Sequence, residues 1–332
     1  MSARARRRWL LAVLIVLLLA GLWLSLLTGP VRTTPSDLLD FFVGRNAANA
    51  SIFADIRLSR ALLAFLVGAA LSLSGAILQG YFQNPMADPF VVGASSGASL
   101  GAVVCISLGI GVTVFGFSSQ GVFAFAAGFG LVAFVYALSR RKDAYRVETL
   151  LLTGIAAGAM ASALTSFLLF MKADSFEQAV FWLLGSFALA DWRQAAAIGP
   201  WVLVVLAAAQ WFAKDMNLLV MGDEPARSLG CPVERVRKIF LALATLLAAL
   251  SVSAAGVIGF VGLIIPHGTR IVIGPDHRYL FGFSALAGGV FLVFADLLAR
   301  TLLFPTELPI GVITAAVGAP FFIFLLNKKR AS

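Results

Sequence analysis

Charge is what this sequence has least of: Asp, Glu, Lys and Arg together make up 12% of its 332 residues, against about 25% in an ordinary soluble domain. With 60% hydrophobic residues and a mean hydropathy of +0.96, too few polar side chains are present to cover a water-facing surface. That excludes a soluble fold and leaves lipid as the main solvent. Cysteine is equally scarce, with Cys105 in an apolar run and Cys231 in a polar loop, so no disulfide framework is expected. No Lys is followed by Ser or Thr, which rules out a Walker A phosphate loop in the chain itself. Acidic side chains at mid-membrane, where proton- or sodium-coupled carriers keep them, are missing too. Glu148, Asp191 and Asp296 all fall near the ends of apolar runs, and Asp296 stands one helical turn before Arg300, which reads as an exposed ion pair. His267 and His277 flank a loop and read as surface or helix-end groups, so neither a metal site nor a cofactor is expected.

What is present is a series of apolar runs of spanning length, at 9–29, 61–82, 91–112, 119–139, 148–170, 195–213, 239–257, 258–274, 279–299 and 308–327. About ten transmembrane helices follow, in an all-α integral membrane protein. The first run comes after Arg4, Arg6, Arg7 and Arg8. At about 19 residues it is longer than the apolar region of a signal peptide, and it lacks a small-residue cleavage site, so a retained span is expected. The eighth, GVIGFVGLIIPH from Gly256 to His267, is glycine-rich and closed by Pro266, and is expected to bend. The net charge of +9 does not indicate nucleic acid, because the basic residues lie in four clusters between apolar runs: Arg4–Arg8, Arg140–Arg146, Arg227–Lys238 and Lys328–Arg330. Ten spans put all four on one side, and the positive-inside rule makes that side, with both termini, cytoplasmic at a cell membrane. Arg57, Arg60 and Arg300 then stand outside, where basic residues are depleted.

Sliding the chain along itself so that Leu62–Leu78 meets Leu243–Gly259 places Ser72 on Ser253, Gly75 on Gly256 and Pro85 on Pro266. The two segments are the second and seventh spans and cross the bilayer in opposite directions. That pattern points to an inverted repeat of the second to fifth spans over the seventh to tenth, an architecture of transporters. In GASSGASLG, Gly93, Gly97 and Gly101 recur every fourth residue, giving a face for tight helix packing or for a substrate path. Gly154 and Gly158 form a second such pair. In the longest internal loop, 214–238, Gly222 is followed by Asp223 and Glu224, then by Arg227, Ser228, Leu229, Gly230 and Pro232. Acid at the start, base near the end, then glycine and proline describe a short capped helix.

Three stretches resemble the ferric siderophore, haem and cobalamin permeases of ABC importers. They are RLSRALLAFLVGAALSLSGAILQGYFQNPMADPFVVGASSGA (Arg57–Ala98), GVIGFVGLIIPHGTRIVIGPDHR (Gly256–Arg278) and ELPIGVITAAVGAPFF (Glu307–Phe322). Ser59 stands where that family usually has proline, and Gln83 where it often has arginine. The resemblance implies one permease domain over 1–332, which is not itself an enzyme. It implies a homodimer of ten-span subunits, two separate ATPase subunits on the cytoplasmic side, and an external binding protein that delivers the metal chelate. By position, Arg57, Arg60 and Arg300 would receive acidic residues of that binding protein. The segment containing Gly222, Asp223, Glu224, Arg227, Ser228, Leu229 and Gly230 would seat in the ATPase. An ion-coupled secondary transporter is the alternative, and a membrane scaffold or channel a more distant one.

Overall fold

The computed structural model describes residues 2–45, 50–114, 116–141, 144–145 and 147–330. Lys142 and Arg146 of the second basic cluster lie outside the described residues. The helices are α1 (Ala3–Leu27), α2 (Pro35–Phe42), α3 (Ser59–Tyr81), α4 (Ala94–Ser107), α5 (Ser119–Ser139), α6 (Val147–Met171), α7 (Phe176–Leu183), α8 (Trp192–Trp211), α9 (Ala213–Leu219), α10 (Asp223–Ser228), α11 (Val233–Ala255), α12 (Val261–Ile273), α13 (His277–Thr301) and α14 (Ile310–Arg330). Among the described residues seven helices are long and apolar enough to cross a bilayer, and α4, α12 and α14 supply three shorter apolar ones. Together they occupy the ten expected runs. Outside those runs lie α2, α7 and α9, which composition did not announce.

Helix α3 is the axis of the bundle. It is apolar on every face, as a spanning helix can be, and all of its residues except Leu62, Phe65 and Leu66 are buried. Around it pack α13, α11, α12 and α8. Two contacts set the spacing. A Cβ on Gly68 would lie 2.2 Å from the Gly288 carbonyl oxygen, and one on Gly75 would lie 1.8 Å from that of Gly262. Any side chain there would push α13 or α12 away, and close backbone contact is what holds helices together in lipid. The glycine stripe of α4 works the same way, because a Cβ on Gly101 would reach 2.3 Å from the Phe123 carbonyl oxygen and one on Gly97 would reach 2.8 Å from that of Ala127. Gly93, at φ +92°, opens α4. The stripe therefore packs against α5.

Helices α3 and α11 are antiparallel, since Ser74 Oγ donates to the Ala244 carbonyl and Tyr81, at the end of α3, meets Arg237, near the start of α11. That is the opposed direction expected of the two matched segments. Their matched glycines nonetheless differ in use: Gly75 sits inside α3, whereas Gly256 ends α11 with φ +71°. The eighth run, expected to bend, departs from a single straight helix. The chain breaks over residues 256–260, where Phe260 takes φ +69°, and Pro266 lies inside α12. Proline removes the donor for the carbonyl four residues before it. Gln79 Nε2 of α3 approaches that carbonyl, of Gly262, at 3.4 Å, and donates to that of Leu263 at 2.9 Å.

Candidate functional site

The two ends of α3 carry the two candidate sites. At its start, Arg60 grips two carboxylates from opposite sides. Its Nε and Nη2 meet Asp296 of α13 at 3.0 and 2.8 Å, and Nη1 and Nη2 meet Glu307, before α14, both at 2.9 Å. Such forked pairing is the geometry that guanidinium makes best. Asp296 is 1% exposed, and Arg300 lies beyond it at 3.7 Å. The main partner of Asp296 is therefore Arg60, 236 residues away in the chain, and the ion pair is buried, which corrects the expectation of an exposed pair with Arg300.

Arg57 and Arg300 serve the end of α1. Arg57 donates to the carbonyls of Leu26 and Val31 and to Thr33 Oγ1. Arg300 donates to the carbonyls of Ser25 and Thr28 and to Ser25 Oγ. The last carbonyls of a helix have no partner within it and carry its negative dipole end, so cations suit them. All three arginines are buried, Arg57 at 3%, Arg60 at 9% and Arg300 at 8% exposure. Each guanidinium is occupied inside the fold, and the partly exposed member of the cluster is Glu307. No local signal in the sequence could have paired Arg60 with Asp296, because the partners meet only once the bundle has formed.

At the other end of α3 the short helix expected from the capping pattern is present as α10. Gly222 precedes it with φ +112°, and Gly230 follows with φ +82°. Glu224, Arg227, Ser228, Leu229 and Gly230 are exposed, while Ala226 is buried beneath them. Asp223 turns inward to Arg237 Nη2 at 2.6 Å, and Arg237 Nη1 donates to the Tyr81 carbonyl at 3.0 Å, with the guanidinium over the Tyr81 ring. One buried arginine thus joins α10 to the last residue of α3. Gln83 adds a second link, donating to the Leu219 carbonyl of α9 at 2.7 Å.

Helix α9 is tied in turn to α13. Asn217 donates to Asp276 and accepts from the His277 backbone, and its side-chain oxygen lies 2.8 Å from His277 Nδ1. The Asp276 carboxyl is held well below the usual carboxylate range, chiefly by its hydrogen bonds from Arg278. Of the two expected readings, surface or helix-end group, His277 is the second: it is the first residue of α13 and is buried at 3% exposure. Its neighbours there are structural ones, and among the described residues no cluster of three His, Cys, Asp or Glu side chains forms a metal site.

Residues 17–328 match the family model described as the FecCD transport family. Among curated relatives, the cobalamin import system permease protein BtuC of Halobacterium salinarum is 45% identical over 84% of this chain and 74% of its own length. The iron(3+)-hydroxamate import system permease protein FhuG of Bacillus subtilis is 38% identical over 96% of this chain and 97% of its own. Among solved structures, an inward-facing metal-chelate type ABC transporter superposes with a TM-score of 0.86 at 30% identity, covering 97% of this chain and 99% of that one.

Proposed function

The chain belongs to the FecCD transport family, and on that premise we propose how its parts divide the work of import. It is the membrane-spanning permease subunit of an ABC importer for a metal chelate of the cobalamin or ferric siderophore class. The chain has no Walker A sequence, so ATP is hydrolysed by separate ATPase subunits and the permease is not itself an enzyme. Two copies of the chain form the path, with two ATPases on the cytoplasmic side and a binding protein outside. The end that carries Arg7, Arg237 and α10 faces the cytoplasm, in keeping with its basic residues.

The single observation that carries this reading is the link from α10 through Asp223 and Arg237 to Tyr81. A short helix outside the spans, with Met221 and Leu229 more than 60% exposed beside it, offers an apolar, charged-rimmed surface of the kind that partners cover. Movement imposed on α10 by an ATPase passes directly to the central helix. At the far end of α3, the binding protein docks on the rim around Glu307, which Arg60 holds from beneath. The test is a cysteine at Ser228 in an otherwise cysteine-free chain. It is expected to cross-link to the ATPase in the assembled complex and to escape impermeant thiol reagents added outside intact cells. Labelling from outside would reject both the orientation and the coupling role.

A further inference from the structure

A cavity of about 260 Å³ opens between α1, α8 and α13 at the same end as α10. Its walls change character along its length. Gln210, Arg278 and Tyr279 stand at the ends of their helices, and Leu11, Phe283 and Leu286 lie further along theirs, toward the middle of the bundle. From Arg278 to Leu286 a helix rises about 12 Å, which stays within one leaflet of a hydrocarbon core about 30 Å thick. Arg7 stands one helical turn before Leu11, with its guanidinium 3.5 Å from the centre of the Tyr279 ring. Its Nε is buried and has no hydrogen-bond partner among the described residues. Arg278 is half exposed but is paired with Asp276 at 2.7 Å, so its charge is largely offset. Arg7 is not, and Arg4, Arg6 and Arg8 are exposed on the same turn of α1.

We propose that this groove binds an anionic phospholipid of the leaflet at the basic end, with the phosphate at Arg7 and Gln210 and one acyl chain along Leu11, Phe283 and Leu286. A polar, cationic mouth over an apolar slot between spanning helices has the order of a lipid molecule, and basic pockets at this level recognise acidic headgroups. Gly282 keeps the slot open, since a Cβ there would lie 3.4 Å from Gln210 Nε2 and a larger side chain would fill the space.

The test is native mass spectrometry of the purified full-length permease with phosphatidylglycerol and phosphatidylcholine at equal concentration. One uncompensated basic group near a membrane surface gives a preference for the anionic lipid of about fivefold. Arg7→Gln is expected to abolish the preference, Arg7→Lys to keep it, and Gly282→Phe to lower retention of both lipids. Equal retention of the two lipids by the wild type would overturn the proposal, as would an unchanged preference in Arg7→Gln. Displacement of phosphatidylglycerol by inorganic phosphate alone would also overturn it, by showing a phosphate site without an acyl-chain slot. Correctly folded protein is verified by the Arg7→Lys variant, which changes the same position without removing the charge.

Discussion

Removing the Arg60 side chain tests the buried cluster that closes one end of the bundle. In Arg60→Met, Asp296 keeps a carboxylate whose side chain is 2% exposed, with only Arg300 nearby at 3.7 Å. Glu307 loses its partner too, but at 35% side-chain exposure it can turn to water. The cost therefore comes mainly from Asp296. Breaking a buried ion pair by removing one member costs about 3–5 kcal/mol. Replacing both members by apolar groups of similar size avoids the stranded charge, so Arg60→Met with Asp296→Leu is expected to be more stable than Arg60→Met alone. Their coupling should be about 1–3 kcal/mol. The assay is a double-mutant cycle from reversible unfolding of the purified protein in detergent. If Arg60→Met lay within about 0.5 kcal/mol of wild type, the range of ordinary surface changes, the guanidinium would not be compensating Asp296 and the reasoning would fail. The same geometry shows why charge reversal at Arg60 cannot probe docking alone, because a glutamate there would face two carboxylates.

Other consequences follow from the same contacts. Arg237→Met removes two charge-assisted hydrogen bonds worth roughly 1.5–3 kcal/mol each. Chelate uptake by the assembled importer should fall about tenfold or more while its ATP hydrolysis persists, with Arg237→Lys intermediate; parallel loss of both activities would contradict a coupling role. Gly101→Val places a side chain against the Phe123 carbonyl and should cost about 1–3 kcal/mol or more by overpacking, whereas Gly111→Ala, where nothing lies within 4 Å, should be neutral in the same unfolding assay. Burial pushes the Asp88 carboxyl, in the connection between α3 and α4, up to about 6. Its folded pKa is thus raised above the unfolded value, so its contribution is present at low pH and is lost as pH rises through about 6. Wild type should lose stability relative to Asp88→Asn between pH 5 and pH 7, and a constant difference across that window would show that Asp88 does not titrate there.

The spans were legible because a long apolar run has few alternatives, and α10 was legible because Gly222 and Gly230 occupy backbone conformations that other residues resist. Some signals were present but unused. Thr34, Pro35 and Asp37 form a capping box that announces α2, since the Thr and Asp side chains satisfy the helix-start donors reciprocally. What could not be read is partnership over distance. Arg57 and Arg300 stand out by their side of the membrane, but nothing adjacent to either shows that the last turn of α1 is waiting for a cation. Likewise Gly68 and Gly75 lie in an ordinary apolar run, and only the packed bundle reveals that α12 and α13 press against their backbones. The depth of α3 follows from those contacts rather than from its hydropathy, which resembles that of the other spans.

If the proposed division of labour holds, this chain moves a chelate only as part of an ATP-driven assembly. The most direct measurement is uptake into liposomes containing the permease, with its ATPase and binding protein added or withheld, using cobalamin and a ferric hydroxamate as cargo. Accumulation of one of these is expected only when ATPase, ATP and binding protein are all present, and none from the permease alone under a proton or sodium gradient. Gradient-driven accumulation by the permease alone would contradict that division of labour.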